Sequence, residues 1–172
     1  YRFFAMYANL EGWRPLERVL GDGEDVGPRP GGERSALDRW LLSRLDTLAA
    51  RTREDLDGYD LTRAARRLSD FVVDELSNWF VRRSRDRFWA TRPSQASRQD
   101  TADAFATLDE ALRTVALLLA PFAPFLSDWL HRAMTGVSAD LSGGASAHLA
   151  DFPADGGRRD AKLEREMADA RE

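Results

Sequence analysis

Apolar residues recur every three or four positions along most of this chain, the spacing that gathers them on one side of an α-helix. Between Leu37 and Leu48 the set is Leu37, Trp40, Leu41, Leu45 and Leu48. Ser35, a residue type that caps helix starts, precedes it, and Gly58 ends the stretch. Asp60 can cap the next helix, whose apolar face is Leu68, Val72, Leu76, Trp79 and Phe80. That helix is expected to be one long element ending by Arg92, because the residue before Pro93 is pushed out of the helical region.

A polar turn is expected from Pro93 to Arg98. From Asp100 or Thr101 a further helix carries Phe105, Leu108, Leu112, Val115, Leu117, Leu118 and Leu119, and its increasingly apolar end is predicted to be the deepest part of the core. Pro121 and Pro124 break the pattern and make a corner. A shorter helix from Phe125 to Met134 then sets Leu126, Trp129 and Leu130 on one side, and Gly136 stops it.

Tyr1 to Asn9 reads as helix, and residues 160–172 read as the start of a following C-terminal element, with Leu163 and Met167 four apart. A chain that opens and closes inside helical elements is expected to have been cut from something larger. Residues 11–34, rich in glycine and proline, are expected to form a flexible loop, and residues 137–157 an irregular segment whose Ala147 to Pro153 part lies back across the bundle. No strand alternation, internal repeat or glycine-rich phosphate loop is found. The expected fold is therefore all-α, a single domain over residues 1–172 built as an antiparallel bundle of four to five helices.

Composition narrows the chemistry. The 172 residues include no cysteine, which excludes a disulfide framework and a thiolate metal cluster, and the two histidines, His131 and His148, are too far apart in sequence to signal a zinc site. No metal is expected. His148 reads as a structural hydrogen-bonder, since no nucleophile and base pair lies near it. No apolar run reaches membrane-spanning length and the start lacks the form of a signal peptide, so a cytoplasmic location is expected.

Net charge is −4, so any affinity for nucleic acid must be local. It is local: Leu76 to Trp89 packs four arginines and four aromatics into fourteen residues, and from Leu76 to Arg92 five arginines face Asp86 alone, a charge of +4. At roughly 100° per residue, Asn78, Arg82, Arg85 and Trp89 fall on one stripe beside the apolar face. An amide, two guanidiniums and an indole suit RNA: arginine pairs with phosphate, asparagine reads base edges, and an aromatic ring stacks on an unpaired base. The competing reading is a solvated face tied by Asp86 to Arg82 and Arg83.

Beside the stripe, Trp79 and Phe80 read as core, as do Trp40, Phe71 and Trp129. Arg83 is a candidate for binding or for a buried salt bridge to an acid on the Ser35 helix, and Arg87 is a candidate of the same kind.

The run Leu76-Ser77-Asn78-Trp79-Phe80-Val81-Arg82-Arg83-Ser84-Arg85-Asp86-Arg87-Phe88-Trp89 resembles a segment of the helical anticodon-binding domain of isoleucyl-tRNA synthetases, class I aminoacyl-tRNA synthetases. Four further stretches resemble the same family in the same order. They are Leu37 to Leu45, Tyr59 to Arg66, Leu119 to Leu126 and Ser146 to Leu149. Departures are Phe80 where tyrosine is usual, Ala147 where valine precedes the histidine, and Trp129 after Asp128.

The resemblance implies an anticodon stem-loop recognition domain for tRNA(Ile), with other domains of the same synthetase as partners. It implies tRNA contacts from Asn78, Arg82, Arg85, Trp89, Arg83 and Arg87. ATP and Mg would belong to a separate catalytic domain of the ligase, leaving this piece without cofactors or catalytic residues of its own. The related valine and leucine enzymes share the domain type, and a helical module that binds an acidic protein partner is a further alternative.

Overall fold

The structure is a computed structural model that describes residues 1–10, 27–88, 95–135 and 146–171, without the side chains of Tyr7, Asn9, Leu10, Gln95, Ala96 and Ser97. Among the described residues there is no strand. The helices are α1 (Arg2–Leu10), α2 (Ala36–Asp57), α3 (Leu61–Asp70), α4 (Arg85–Phe88), α5 (Gln95–Leu119), α6 (Pro124–Thr135) and α7 (Ala161–Asp169). Short 3₁₀ turns at Gly31–Glu33 and Ala147–Leu149 complete the list, along with a π-helical stretch at Phe71–Val81 that continues α3 without a break. The all-α expectation holds, with more helices than four or five.

The starts of α2, α3 and α7 obey local chemistry. Ser35, Asp60 and Asp160 each accept a backbone N–H from the first turn of the helix that follows. Gly58 closes α2 as expected by donating to the Glu54 carbonyl, although the left-handed residue of the turn is the exposed Tyr59, at φ 58°.

α2 and α5 form the centre of the bundle. α2 packs on α3, the π stretch, α5 and α7, while α5 also meets α1, α4 and α6. Ala102, Ala104, Ala111 and Ala116 are buried along α5 and let its neighbours approach closely. Near the middle of α5 the fully buried Phe105 ring stands edge-on to Phe88 at 4.9 Å and to Phe4 at 6.1 Å. The apolar end of α5 is buried as well, with Ala116 and Leu118 both at 0% exposure.

Three expectations change. α5 begins at Gln95 rather than at Asp100 or Thr101, and polar side chains near its start find partners in the fold. Gln99 donates to the Gly27 carbonyl, the Thr101 hydroxyl donates to the Arg87 carbonyl, and Asp100 receives Arg87. On α6 the inward residues are Ser127, Leu130 and Met134, and Ser127 is buried with its hydroxyl on the Ala116 carbonyl at 2.7 Å. Trp129 consequently turns outward, 55% exposed, beside Phe125 at 91%, and packs edge-on to the Tyr1 ring at 5.2 Å rather than into the core.

The third change concerns the glycine-rich segment, whose residues 11–26 lie outside the described residues. Its last part, 27–34, is pinned to α5. Arg29 pairs with Asp103 at 2.6 Å, and Arg34 donates to the Thr107 hydroxyl at 3.0 Å. Ion pairs fasten other segments too. Arg44 joins Glu75 to Glu164 at 2.7 and 3.0 Å, and Arg158 joins the buried Asp46 on α2 to Glu110 on α5. Arg53 lies over the Phe152 ring at 4.7 Å, holding the extended segment before α7 across the bundle as expected.

Candidate nucleic-acid interface

From Leu61 to Phe88 the chain presents a buried side and an open side. Ala64, Leu68, Phe71, Leu76, Phe80, Ser84 and Phe88 are buried. The step from Phe71 to Leu76 is five residues, and the steps that follow are four. A π-helical turn bonds residue i to i+5, so each residue advances by less than the roughly 100° of an α-helix, and π turns recur at functional sites. Phe71 is buried as expected, and Val72, expected on the same face, is only partly buried against the core.

The open side carries Asn78, Arg82, Arg83 and Arg85, all exposed. Among the described residues no carboxylate pairs with any of these arginines, and Asp86 makes no ion pair with Arg82 or Arg83. Trp89 lies outside the described residues. A turn at Ser84 ends the regular run: the Ser84 N–H donates to the Phe80 carbonyl at 2.9 Å, and the short α4 follows. The arginines thus project from the last turns of a helix whose other side is locked in the core.

Arg87 and Arg83 exchange the roles that spacing left open. Arg87 is the arginine that reaches the Ser35 helix: its Nη2 donates to Asp38 Oδ2 at 2.6 Å and its Nη1 to Asp38 Oδ1 at 3.0 Å, while Nε and Nη2 also reach Asp100 at 2.9 Å. Burial works against its charge. The hydrogen bonds to Asp38 and Asp100 outweigh that and hold its pKa above the ordinary arginine value. With its donors committed inward, Arg87 reads as a clamp between α4, α2 and α5, which corrects its inclusion among the RNA-facing residues. Arg83 is exposed and lies over the Trp79 ring at 4.7 Å.

Trp79 is half-buried against the core, and its indole Nε1 is buried without a hydrogen-bond partner among the described residues. A second arginine, Arg171, also lies over this ring, at 5.2 Å. Sequence reasoning gave Arg171 no role, and no local signal marks it, since its neighbour in space is 92 positions away in the chain.

The family model for the anticodon-binding domain of tRNA ligases matches residues 38–172. The chain belongs to this family. Its relatives include the isoleucine–tRNA ligase of Porphyromonas gingivalis, 42% identical over 97% of this chain, and that of Dehalococcoides mccartyi strain 195, also 42% identical over 97%. The isoleucine–tRNA ligase of Thermus thermophilus is 44% identical over 89%. This anticodon-binding domain spans 13 to 15% of the length of these three relatives.

Among the described residues of the domain, no group of three or more histidines and carboxylates is placed to hold a metal ion, and no helix is long and apolar enough to cross a membrane. His148, exposed on the 3₁₀ turn, has its Nε2 3.3 Å from the Pro124 carbonyl, a contact that ties this turn to the start of α6.

Proposed function

We propose that this domain grips the anticodon stem and loop of tRNA(Ile) for an isoleucine–tRNA ligase, in which a separate domain carries out ATP-dependent attachment of isoleucine. The observation that carries this reading is the exposed group of Asn78, Arg82, Arg83 and Arg85, which no carboxylate neutralises among the described residues. Guanidiniums of this kind suit the phosphates of a loop, and the Asn78 amide suits the edge of an unpaired base. Trp89, one turn further along in sequence, would add a stacking surface. The contribution of the domain is binding, with the remaining domains of the ligase as its other partners.

The test is a fluorescence-anisotropy titration of the chain with transcripts of tRNA(Ile), tRNA(Val) and tRNA(Leu) at several salt concentrations. Arg82→Ala and Arg85→Ala should each weaken tRNA(Ile) binding about tenfold, the value of a charged hydrogen bond, and lower the salt slope by about one unit, with helical circular dichroism intact. Unchanged affinity in both variants would remove the assigned face. Equal affinity for all three transcripts would remove the isoleucine assignment.

A further inference from the structure

Arg171 follows α7 and reaches back over the π stretch. Its guanidinium carbon is 5.2 Å from the centre of the Trp79 ring and 5.9 Å from that of Trp40, and its Nη2 donates to the Asp74 carbonyl at 3.4 Å. Arg83 shares the Trp79 ring. The two guanidinium carbons are at most about 10 Å apart, the sum of their distances to that ring.

Two cations within this distance repel, and other arginines that cross between helices are neutralised. Arg44, Arg87 and Arg158 each hold two carboxylates. Neither Arg83 nor Arg171 has a carboxylate partner among the described residues, and both are exposed. A guanidinium laid on an indole gives its flat face to the ring and keeps N–H edges for an acceptor with two oxygens. The geometry is also fixed. Arg44 on α2 grips Glu75 in the π stretch and Glu164 on α7, so one side chain sets the helix that carries Arg83 against the helix that leads to Arg171.

We infer that Arg83 and Arg171, laid on Trp79, form a two-arginine site for a phosphodiester of the bound RNA, beside the Asn78, Arg82 and Arg85 row. Trp79 is the positioning residue, and Arg171 is a binding residue contributed by the far end of the chain. The inference rests on the proposed RNA-binding function and adds a site to it. The pair grips backbone and carries no base information, so its loss should weaken all RNA ligands in parallel.

The experiment repeats the anisotropy titration with Arg171→Gln, Arg83→Gln, the double variant and Trp79→Phe, using the tRNA(Ile) and tRNA(Val) transcripts. Each arginine variant should weaken tRNA(Ile) three- to tenfold and lower the salt slope by about one unit, and the double variant should lower it by about two. The ratio of affinities for the two transcripts should stay at the value of the unaltered chain. Arg171→Lys should keep the slope while binding more weakly, because it keeps the charge and loses the fork.

If Arg171→Gln keeps full affinity and slope while Arg82→Ala loses both, the two-arginine site is wrong and the row stands. Absence of RNA binding by the unaltered chain would overturn both. Binding of inorganic phosphate or of polyglutamate that is lost in Arg171→Gln, with RNA affinity unchanged, would make the pair a free-anion or acidic-protein site and would also overturn the inference.

Discussion

Replacing Arg87 with glutamine separates the two roles an arginine can have at the end of this helix. The Arg87 side chain is 14% exposed and that of Asp38 is fully buried at 0%. In the intact protein the Asp38 carboxylate receives two Arg87 donors, at 2.6 and 3.0 Å, and the Ser35 hydroxyl at 2.6 Å. Glutamine leaves that buried charge with the hydroxyl and no counter-ion, and stranding one member of a buried pair costs about 3–5 kcal/mol. The Asp100 arm is 41% exposed, and solvent screening limits it to about 1 kcal/mol or less.

In a chain of this size each kcal/mol moves the thermal midpoint by about 2–4 °C, so the expected fall is about 6–20 °C. Thermal and urea unfolding followed by circular dichroism measure it, with an unchanged urea slope showing that stability alone has moved. Replacing the pair together, Arg87→Met with Asp38→Leu, should recover most of the loss, because neither charge is then stranded. Below its midpoint Arg87→Gln should bind tRNA(Ile) with the unaltered salt slope. A stability loss under about 1 kcal/mol would refute the clamp, and a slope lowered by one unit would return Arg87 to the RNA face.

Phe80, fully buried beneath the arginine face, should cost about 3–5 kcal/mol when changed to alanine, read as a lower urea midpoint. Two groups give opposite-sided checks of pH dependence. Burial lowers the His131 pKa from its ordinary 6.5, so the folded state favours the neutral ring; stability should be full above about pH 6.5 and fall as pH drops from there toward the lowered value, a limb that His131→Gln should remove. Asp128 is held down to about 2 by the Ser146 hydroxyl first and Arg132 next, so its stabilisation is present above the ordinary 3.8 and is lost as pH falls toward about 2. A melting series across pH 2–8 that shows no loss in either window would refute these assignments.

Much of the helical layout was legible from spacing. Ser35, Asp60 and Asp160 begin helices through a side chain that reaches only two or three residues ahead, and Gly58 closes one by a bond to Glu54. The outward placement of Asn78, Arg82 and Arg85 was legible for the same reason, since their separation from Leu76 and Phe80 is a matter of one or two turns. Leu163 met expectation as well, buried against the core.

Other features depend on partners that no window of neighbouring residues contains. Ser127 takes the place on α6 that Leu126 and Trp129 were expected to share, and Asp38 selects Arg87 rather than Arg83 from 49 positions away. Arg171 meets Trp79 only once α7 is seated on α2. Hydrogen bonds and apolar periods within a helix act over three to five residues and can be read along a chain, whereas which of two arginines a buried carboxylate accepts is settled by the depth and angle at which packed helices meet.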